Sequence, residues 1–182
     1  DGLAARELLR MDHITDIQQV ELDPEMIRVA NTVLREDNRG SLEDPRVHVI
    51  TEDAFTWARA GGGGVQPFDA ILVDLSDPDN DTMARLYSEE FYGLLHKMLR
   101  PEGRMVVQSG SAFTTPDVFN RVRSTLSAAG CADVVPYHVQ VPTFGDWGFN
   151  MCAPANTQVQ VPNTAPELRY LNAETLRAAE IF

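Results

Sequence analysis

The chain has 182 residues, of which 43% are hydrophobic and 23% charged, and its 27 acidic against 15 basic side chains give a formal net charge of −12. These proportions are ordinary for one globular domain and exclude a largely disordered chain. The acidity argues against a nucleic-acid-binding protein, because neutralising phosphates requires clustered Lys and Arg. A negative surface suits a cationic substrate, although it also serves solubility alone.

Strand and helix patterns alternate through the first half of the chain. The predicted elements are a helix from Leu3, a strand Ile17–Leu22, a helix from Pro24, a strand Val47–Ile50, a helix near Ala54–Ala60 and a strand Phe68–Leu75. Pro24 favours a helix start, because proline is tolerated in the first helical turn. The apolar face of this helix would comprise Met26, Ile27, Ala30, Val33 and Leu34. The nearly continuous apolar run FDAILVDL is typical of a central parallel strand covered on both faces.

The second half continues the alternation and then changes to consecutive strands. The predicted elements are a helix capped by Ser88, a strand Arg104–Gln108, a helix from Thr115-Pro116 to Gly130, strands Val134–Val141 and Gly148–Cys152, and a short last helix capped by Asn172. Strand–helix alternation that ends in a β-hairpin predicts a doubly wound α/β sheet in one domain, 1–182. The sheet would be mostly parallel, with an antiparallel C-terminal hairpin.

The cysteines and the chain start carry further expectations. Cys131 and Cys152 are too few for a disulfide framework and form no C-x-x-C pair, which favours reduced thiols in a cytosolic setting. No apolar run approaches the roughly 18 residues of a membrane span. Asp1-Gly2 leads straight into a helical pattern, without an initiator Met or a preceding strand. We therefore expect a fragment of a longer chain that lacks its first strand.

Acidic residues follow three successive predicted strands. They are Glu21 and Asp23, then Asp53, then Asp74 and Asp77. In doubly wound sheets the ligand lies beyond the carboxyl ends of the strands. An acid about 20 residues beyond a glycine-rich turn commonly binds ribose hydroxyls, and Glu21 has this place if that turn precedes Asp1. A solvated acid near a helix start is the equal alternative for Glu21, and a helix N-cap is the better reading of Asp23.

Other chemical motifs are poorly matched. Asp77, Asp79 and Asp81 alternate as in a calcium loop, but Thr82 and Ser88 replace its Gly and Glu. Gly61–Gly64 lacks the ending of a P-loop, and the four histidines have no metal-ligand spacing. No serine stands in a G-x-S-x-G turn. The sequence therefore predicts no metal site, no P-loop and no hydrolase nucleophile.

A series of short motifs runs in order along nearly the whole chain. They are DG at 1–2, VELD at 20–23, EDA at 52–54, DLSDP at 74–78, LYSEEFY at 86–92, VQ at 107–108, VPTF at 141–144 and LRYLN at 168–172. This ordered set resembles the spermidine synthase (polyamine aminopropyltransferase) family, which implies a Rossmann-like sheet of the class I S-adenosylmethionine methyltransferase kind. DLSDP and FGDWGF at 144–149 resemble bacterial members whose catalytic domain follows several membrane spans.

The resemblance implies transfer of an aminopropyl group from decarboxylated S-adenosylmethionine to putrescine or a similar amine, giving spermidine and methylthioadenosine. Decarboxylated S-adenosylmethionine would be a co-substrate, not a permanently bound cofactor. The resemblance also implies a homodimer and a cytoplasmic catalytic domain attached to a bacterial inner membrane.

Site roles follow from the resemblance, position by position. Asp74 would be the general base, Asp1, Glu21, Asp53 and Ala54 would bind the co-substrate, and Asp77, Gln108 and Phe144 would place the diamine. Because the co-substrate has lost its carboxylate, its ammonium lacks a counter-charge, which Asp1 would supply. The same acid would repel intact S-adenosylmethionine.

Three positions depart from the family's pattern. Residues 79–82 replace a G-P-A stretch, Phe144 stands where many members have Tyr, and Gly110 where a Glu is common. These departures bear on the acceptor amine more than on the reaction class. The alternatives are a class I methyltransferase, which shares the fold, and a non-catalytic nucleotide-sensing domain that regulates a membrane region.

Overall fold

The computed structural model describes residues 1–64, 67–76, 81–159, 168 and 170–180. These residues form two compact units, the first mainly Asp1–Trp57 and the second mainly the residues from Ala58 onward. Each unit has its own sheet. No helix within these ranges is long and apolar enough to cross a membrane.

The first unit is a pair of parallel strands with helices packed on it. Its elements are α1 (Leu3–Leu8), β1 (Ile17–Glu21), α2 (Pro24–Asn31), α3 (Arg35–Asn38), β2 (Val47–Thr51) and α4 (Ala54–Arg59), which leads into the second unit. β1 and β2 pair in parallel, so that Glu21 lies opposite Thr51. The core is formed by Ala5, Ile17, Ala30, Leu42 and Val47. The helices thus pack the apolar side of the pair and leave the strand ends at one edge.

The start of α2 agrees with the sequence, but its end does not. Pro24 is the first helical residue, and the Asp23 carboxylate accepts a hydrogen bond from the Glu25 amide at 2.8 Å, which confirms the N-cap. The helix stops at Asn31, because Thr32 leaves helical geometry at φ −121° and ψ −77°. Val33 therefore leaves the predicted apolar face and is 73% exposed.

The second unit is a four-stranded mixed sheet. Its elements are β3 (Phe68–Val73), α5 (Asp81–Ala84), α6 (Glu89–Lys97), β4 (Leu99–Gln108), α7 (Pro116–Ala128), β5 (Asp133–Val141), β6 (Gly145–Ala153) and α8 (Ala173–Ala179). The strand order is β3-β4-β6-β5, with β3 parallel to β4 and the hairpin strands antiparallel. Ser88 and Asn172 cap α6 and α8 as predicted, because their side-chain oxygens accept hydrogen bonds from first-turn amides.

Two strands differ from their predicted form. β4 begins at Leu99 instead of Arg104 and takes up the Pro101–Gly103 segment, with a register shift opposite Phe68 and Ala70. β3 has one strand neighbour among the described residues, and Leu72 is 49% exposed. The expectation that this strand is covered on both faces is therefore wrong within the described chain. An apolar run records what a strand tends to bury and does not say how many layers cover it.

The prediction of reduced thiols was wrong, because Cys131 and Cys152 form a disulfide with their Cα atoms 5.4 Å apart. Cys152 lies in β6 opposite Val134 of β5, and Cys131 stands just before β5. The antiparallel pairing of the two strands therefore brings the cysteines together. Their separation of 21 residues carries no recognisable motif.

We expect the disulfide to stabilise the second unit, because it closes a loop in the unfolded chain and so lowers the conformational entropy of the unfolded state. Replacing both cysteines in the full-length protein, by Cys131→Ala and Cys152→Ala, should lower the free energy of unfolding by about 2–4 kcal/mol. Urea unfolding with and without reductant measures the effect. Reductant should lower the free energy of unfolding of the wild type and leave that of the double variant unchanged. Two freely alkylated thiols in the unreduced wild type would contradict the bond.

Candidate active site

Two of the predicted site acids lie side by side at the carboxyl edge of the first unit. Glu21 is the last residue of β1. β2 ends at Thr51, and Asp53 is the second residue after it, following Glu52. The Glu52 amide donates to the Glu21 carbonyl at 3.1 Å, which continues the strand pairing up to the edge. Both side chains are half-buried. The edge therefore presents two carboxylates in fixed register, as predicted from the strand ends.

Both carboxylates also stabilise their own backbone turns. One oxygen of Glu21 accepts from the Asp23 amide at 2.9 Å. Oδ1 of Asp53 accepts from the amide and the hydroxyl of Thr56, each at 2.9 Å, so that Asp53 holds the first turn of α4. Ala54 is the first residue of that helix and is half-buried. These hydrogen bonds restrict the direction in which each carboxylate points.

Asp1 and Gly2 form a turn that buried polar side chains hold in place. The Asn38 amide nitrogen donates to the Asp1 carbonyl at 3.0 Å and to the Ala30 carbonyl at 2.8 Å. The Ser41 hydroxyl donates to the Gly2 carbonyl at 2.6 Å. Asn38 and Ser41 are both buried. No sequence pattern predicts these two residues, because their partners lie 37 and 39 positions away along the chain.

The Asp1 side chain itself is exposed and accepts one local hydrogen bond. Its Oδ1 accepts a hydrogen bond from the Leu3 amide at 3.0 Å, at the beginning of α1. Gly2 has φ +84°, a conformation that residues with a Cβ rarely adopt. The turn is thus a rigid support for a solvent-facing carboxylate. Its contact with a co-substrate ammonium stays a prediction.

Asp74 and Gln108 leave the second sheet at the same edge. Val73 pairs with Val107 in parallel register, so the next residue of each strand emerges at the carboxyl end. Asp74 is exposed, whereas Gln108 is only 6% exposed. The Gln108 side-chain nitrogen donates to the Leu75 carbonyl at 2.7 Å. The structure therefore places Gln108 against the backbone that follows Asp74.

Tyr87 also contacts this backbone, which the sequence did not predict. It ends a short 3-10 turn, Arg85–Tyr87, and its hydroxyl lies 3.1 Å from the Leu75 carbonyl and 3.0 Å from that of Ser76. The Gln108 side-chain nitrogen donates to the same hydroxyl at 3.0 Å. No local pattern around Tyr87 marks a residue that bonds a loop 11 and 12 positions earlier. We call residues 74–76 the β3 loop.

Gly110, where the resemblance leads us to expect a Glu in many members, has a backbone conformation that suits glycine. Its φ is +68°, and a Cβ there would lie 2.8 Å from the Thr115 hydroxyl oxygen. Its carbonyl accepts from the Gly148 amide at 2.6 Å, which ties the segment after β4 to β6. In this backbone, the position therefore has no room for a side chain without a shift of Thr115.

Phe144 lies in the tight turn between β5 and β6. Gln108 pairs with Phe149, so the first four residues of β6 extend beyond the end of β4 on the carboxyl side. Phe144 is 67% exposed, and its ring centroid lies 5.1 Å from that of Trp147. The hairpin thus carries an aromatic pair out from the edge where Asp74 emerges. Asp77, the last predicted site residue, lies outside the described residues.

The two edges share one chemical character. The first edge presents the carboxylates of Glu21 and Asp53 and the second that of Asp74, and carboxylates bind cations and hydroxyl hydrogens well. Among the described residues, no three His, Cys, Asp or Glu side chains are grouped so that they could hold a metal ion. Taken by itself, each edge offers groups that can bind a cationic or hydroxyl-bearing part of an organic ligand.

Sequence comparison gives a consistent family. A family model described as the spermine/spermidine synthase domain matches residues 1–162. Polyamine aminopropyltransferases from Corynebacterium efficiens and Mycobacterium tuberculosis (strain H37Rv) are 64% and 54% identical over the whole chain, and one from Oceanobacillus iheyensis is 34% identical. The chain spans about 35% of the length of these curated relatives.

Solved structures show the same fold. A spermidine synthase in complex with the transition state analogue AdoDATO superposes with a TM-score of 0.86 at 22% identity, over 98% of this chain and 62% of that one. Spermidine synthase from Thermotoga maritima gives 0.84 at 23% identity, over 100% of this chain and 62% of that one. The predicted Rossmann-like fold class and the predicted resemblance are both confirmed.

Gly2→Ala tests whether the buried supports fix the turn. A Cβ at Gly2 would lie 2.8 Å from the Ser41 hydroxyl oxygen and 3.1 Å from Leu42 Cγ. Gly61→Ala is the matched control, because Gly61 has φ +78° and no atom within 4 Å of an added Cβ. Both variants acquire the backbone penalty, and only Gly2→Ala acquires the collision. Urea unfolding of the full-length protein should show about 1–3 kcal/mol more destabilisation in Gly2→Ala than in Gly61→Ala. Equal losses would show that the turn is not tightly held.

Proposed function

The chain belongs to the spermine/spermidine synthase family, and from this we propose that it transfers the aminopropyl group of decarboxylated S-adenosylmethionine to putrescine or a similar amine. The products are spermidine, or its analogue, and methylthioadenosine. The observation that carries the proposal is the unbroken family match through residues 1–162, which includes every acid predicted for the site. The curated relatives, themselves named polyamine aminopropyltransferases, support it.

We assign the co-substrate to the first unit. Glu21 would accept hydrogen bonds from the ribose hydroxyls, and Asp53 with Ala54 would contact the adenine. Asp1 would face the aminopropyl ammonium, a cation that decarboxylation leaves without its own carboxylate. The hydrogen bonds that already orient these three carboxylates support the assignment, because pre-oriented groups lose little entropy on binding.

The transfer step requires a neutral amine. An alkylamine resembles Lys, with a pKa of about 10.4, so removing its proton at pH 7 costs about 4–5 kcal/mol. The amine nitrogen attacks the carbon next to the sulfonium, the C–S bond breaks, and its electron pair neutralises the sulfur. Asp74 accepts the nitrogen's proton as the C–N bond forms. The exposed position of Asp74 at the end of β3 leaves it accessible to such an amine.

The acceptor side of the site is the finer part of the proposal. Asp77 would hold the second ammonium of the diamine, while Gln108 and Phe144 would place its chain. Leu75 and Phe144 would keep the reacting nitrogen in a drier environment. A dimer, and attachment of this cytoplasmic region to a bacterial inner membrane, complete the proposal. They rest on the DLSDP and FGDWGF motifs and on the family resemblance alone.

Co-substrate selectivity distinguishes the candidate functions. Calorimetry on the full-length protein should show tighter binding of decarboxylated S-adenosylmethionine than of S-adenosylmethionine, since Asp1 repels the carboxylate of the latter. Asp1→Asn should reduce this preference, because it removes the negative charge. Spermidine and methylthioadenosine should form together when putrescine is added. Tighter binding of S-adenosylmethionine would favour a methyltransferase, and binding without turnover would favour the sensing domain.

Asp74→Asn tests the general base. The full-length variant should bind the co-substrate like the wild type, and its turnover should fall by roughly 10²–10⁴-fold. Asp69→Asn is a control on the same strand, because the Asp69 carboxylate is exposed near the amino end of β3 and pairs with Arg100 at 2.7 Å. Its turnover should match the wild type. Equal turnover in all three proteins would reject Asp74 as the base.

A further inference from the structure

The β3 loop is held by two side chains that come from different elements. Gln108 reaches it from the end of β4, and Tyr87 reaches it from the 3-10 turn before α6. Their hydrogen bonds form a connected set with the Leu75 and Ser76 carbonyls, at distances of 2.7 to 3.1 Å. We call this set the loop clamp.

Both side chains of the clamp donate hydrogen bonds within it. A glutamine amide has two N–H donors, and the Gln108 side-chain nitrogen donates to both the Leu75 carbonyl and the Tyr87 hydroxyl. The Gln108 side-chain oxygen accepts from the Gly110 amide at 3.2 Å, which fixes the orientation of the amide. The single O–H of Tyr87 is then directed to the loop carbonyls. Without this hydroxyl, Gln108 loses one of the acceptors to which its side-chain nitrogen donates.

Asp74 lies between two fixed points. Val73 before it is buried and hydrogen-bonded in the sheet, and Leu75 after it has its carbonyl in the clamp. The carboxylate itself is exposed. Its position is therefore set by the backbone on either side and depends on the clamp from the Leu75 side.

We propose that Tyr87 is a positioning residue for catalysis, which holds the β3 loop so that the Asp74 carboxylate keeps its place. The proposal rests on the proposed function, in which Asp74 takes the proton of the amine. Proton transfer is sensitive to geometry, and a misplacement of about 1 Å can reduce a rate by roughly 10²-fold. Tyr87 does not have to touch the substrate to act in this way.

Tyr87→Phe removes the hydroxyl and keeps the ring. Tyr92→Phe is the matched control, because Tyr92 lies in the adjoining α6, is fully buried, and has a hydroxyl with no hydrogen-bond partner among the described residues. Burial, with a smaller contribution from Tyr87, raises the pKa of Tyr92, so its hydroxyl stays protonated and uncharged. Each variant therefore loses one hydroxyl group, and the two hydroxyls come from neighbouring segments.

Three measurements on the full-length protein test the proposal. The first is kcat and KM for both substrates, the second is the pH dependence of kcat, and the third is hydrogen exchange of residues 74–76 and Gly110 without substrates. In Tyr87→Phe we expect kcat to fall roughly 10- to 100-fold with both KM values within about twofold. We also expect an altered pH profile, faster local exchange and an unchanged melting temperature. Tyr92→Phe should behave like the wild type in every measurement.

The outcomes separate this inference from the proposed function. Wild-type kcat in Tyr87→Phe would overturn it, and so would a lower kcat accompanied by a lower melting temperature and faster exchange throughout the second unit. A wild type that releases no methylthioadenosine with putrescine or related amines would reject the proposed function. Hydrogen exchange of residues 74–76 and Gly110 would then decide whether the clamp exists. Unchanged exchange in Tyr87→Phe would overturn the clamp, and faster exchange confined to the β3 loop would support it.

Discussion

Parallel register is the constraint on which the candidate site depends. Because Glu21 pairs with Thr51 and Val73 with Val107, each pair of strands ends at a common level. A slip of one residue would turn every side chain to the opposite face and move the acids away from the edge. The buried residues Ile17 and Val47 oppose such a slip in the first unit, since they occupy the same core only in the observed register.

The acids of the candidate site have structural roles beside the chemical roles proposed for them. Asp53 and Glu21 each accept hydrogen bonds from the turn that follows their strand, and Asp1 accepts one from α1. A carboxylate that is already bonded on one oxygen points in a defined direction. Replacing such an acid by alanine would therefore remove a local turn contact together with any ligand contact. For this reason the isosteric change to the amide, asparagine for Asp and glutamine for Glu, is the more informative substitution.

Local features of the fold could be read from the sequence, and long-range ones could not. The starts of α2, α6 and α8 depend on residues within three positions of the cap, so Asp23, Ser88 and Asn172 were identified in advance. The Cys131–Cys152 bond depends on the pairing of β5 with β6. The Tyr87 contact depends on how the 3-10 turn lies against the β3 loop. Neither arrangement leaves a periodic or compositional signal.

The same distinction applies within the site. The positions of Glu21, Asp53 and Asp74 follow from strand ends, which apolar patterning predicts well. Asn38 and Ser41, which hold the Asp1-Gly2 turn, are buried polar residues whose partners lie far away in the chain. A buried polar side chain is informative only after burial is known, because in the sequence it looks like any surface residue.

At Gly110, on the proposed acceptor side, the family pattern cannot be carried over to this chain. The backbone at Gly110 is left-handed and an added Cβ would lie 2.8 Å from the Thr115 hydroxyl oxygen, so this backbone has no place for the glutamate that the resemblance leads us to expect. For the proposed reaction, one carboxylate fewer has two opposing effects. It weakens the attraction for a diammonium substrate, and it also makes the charged form of the attacking nitrogen less favourable. The second effect assists Asp74, because a less basic amine gives up its proton more readily.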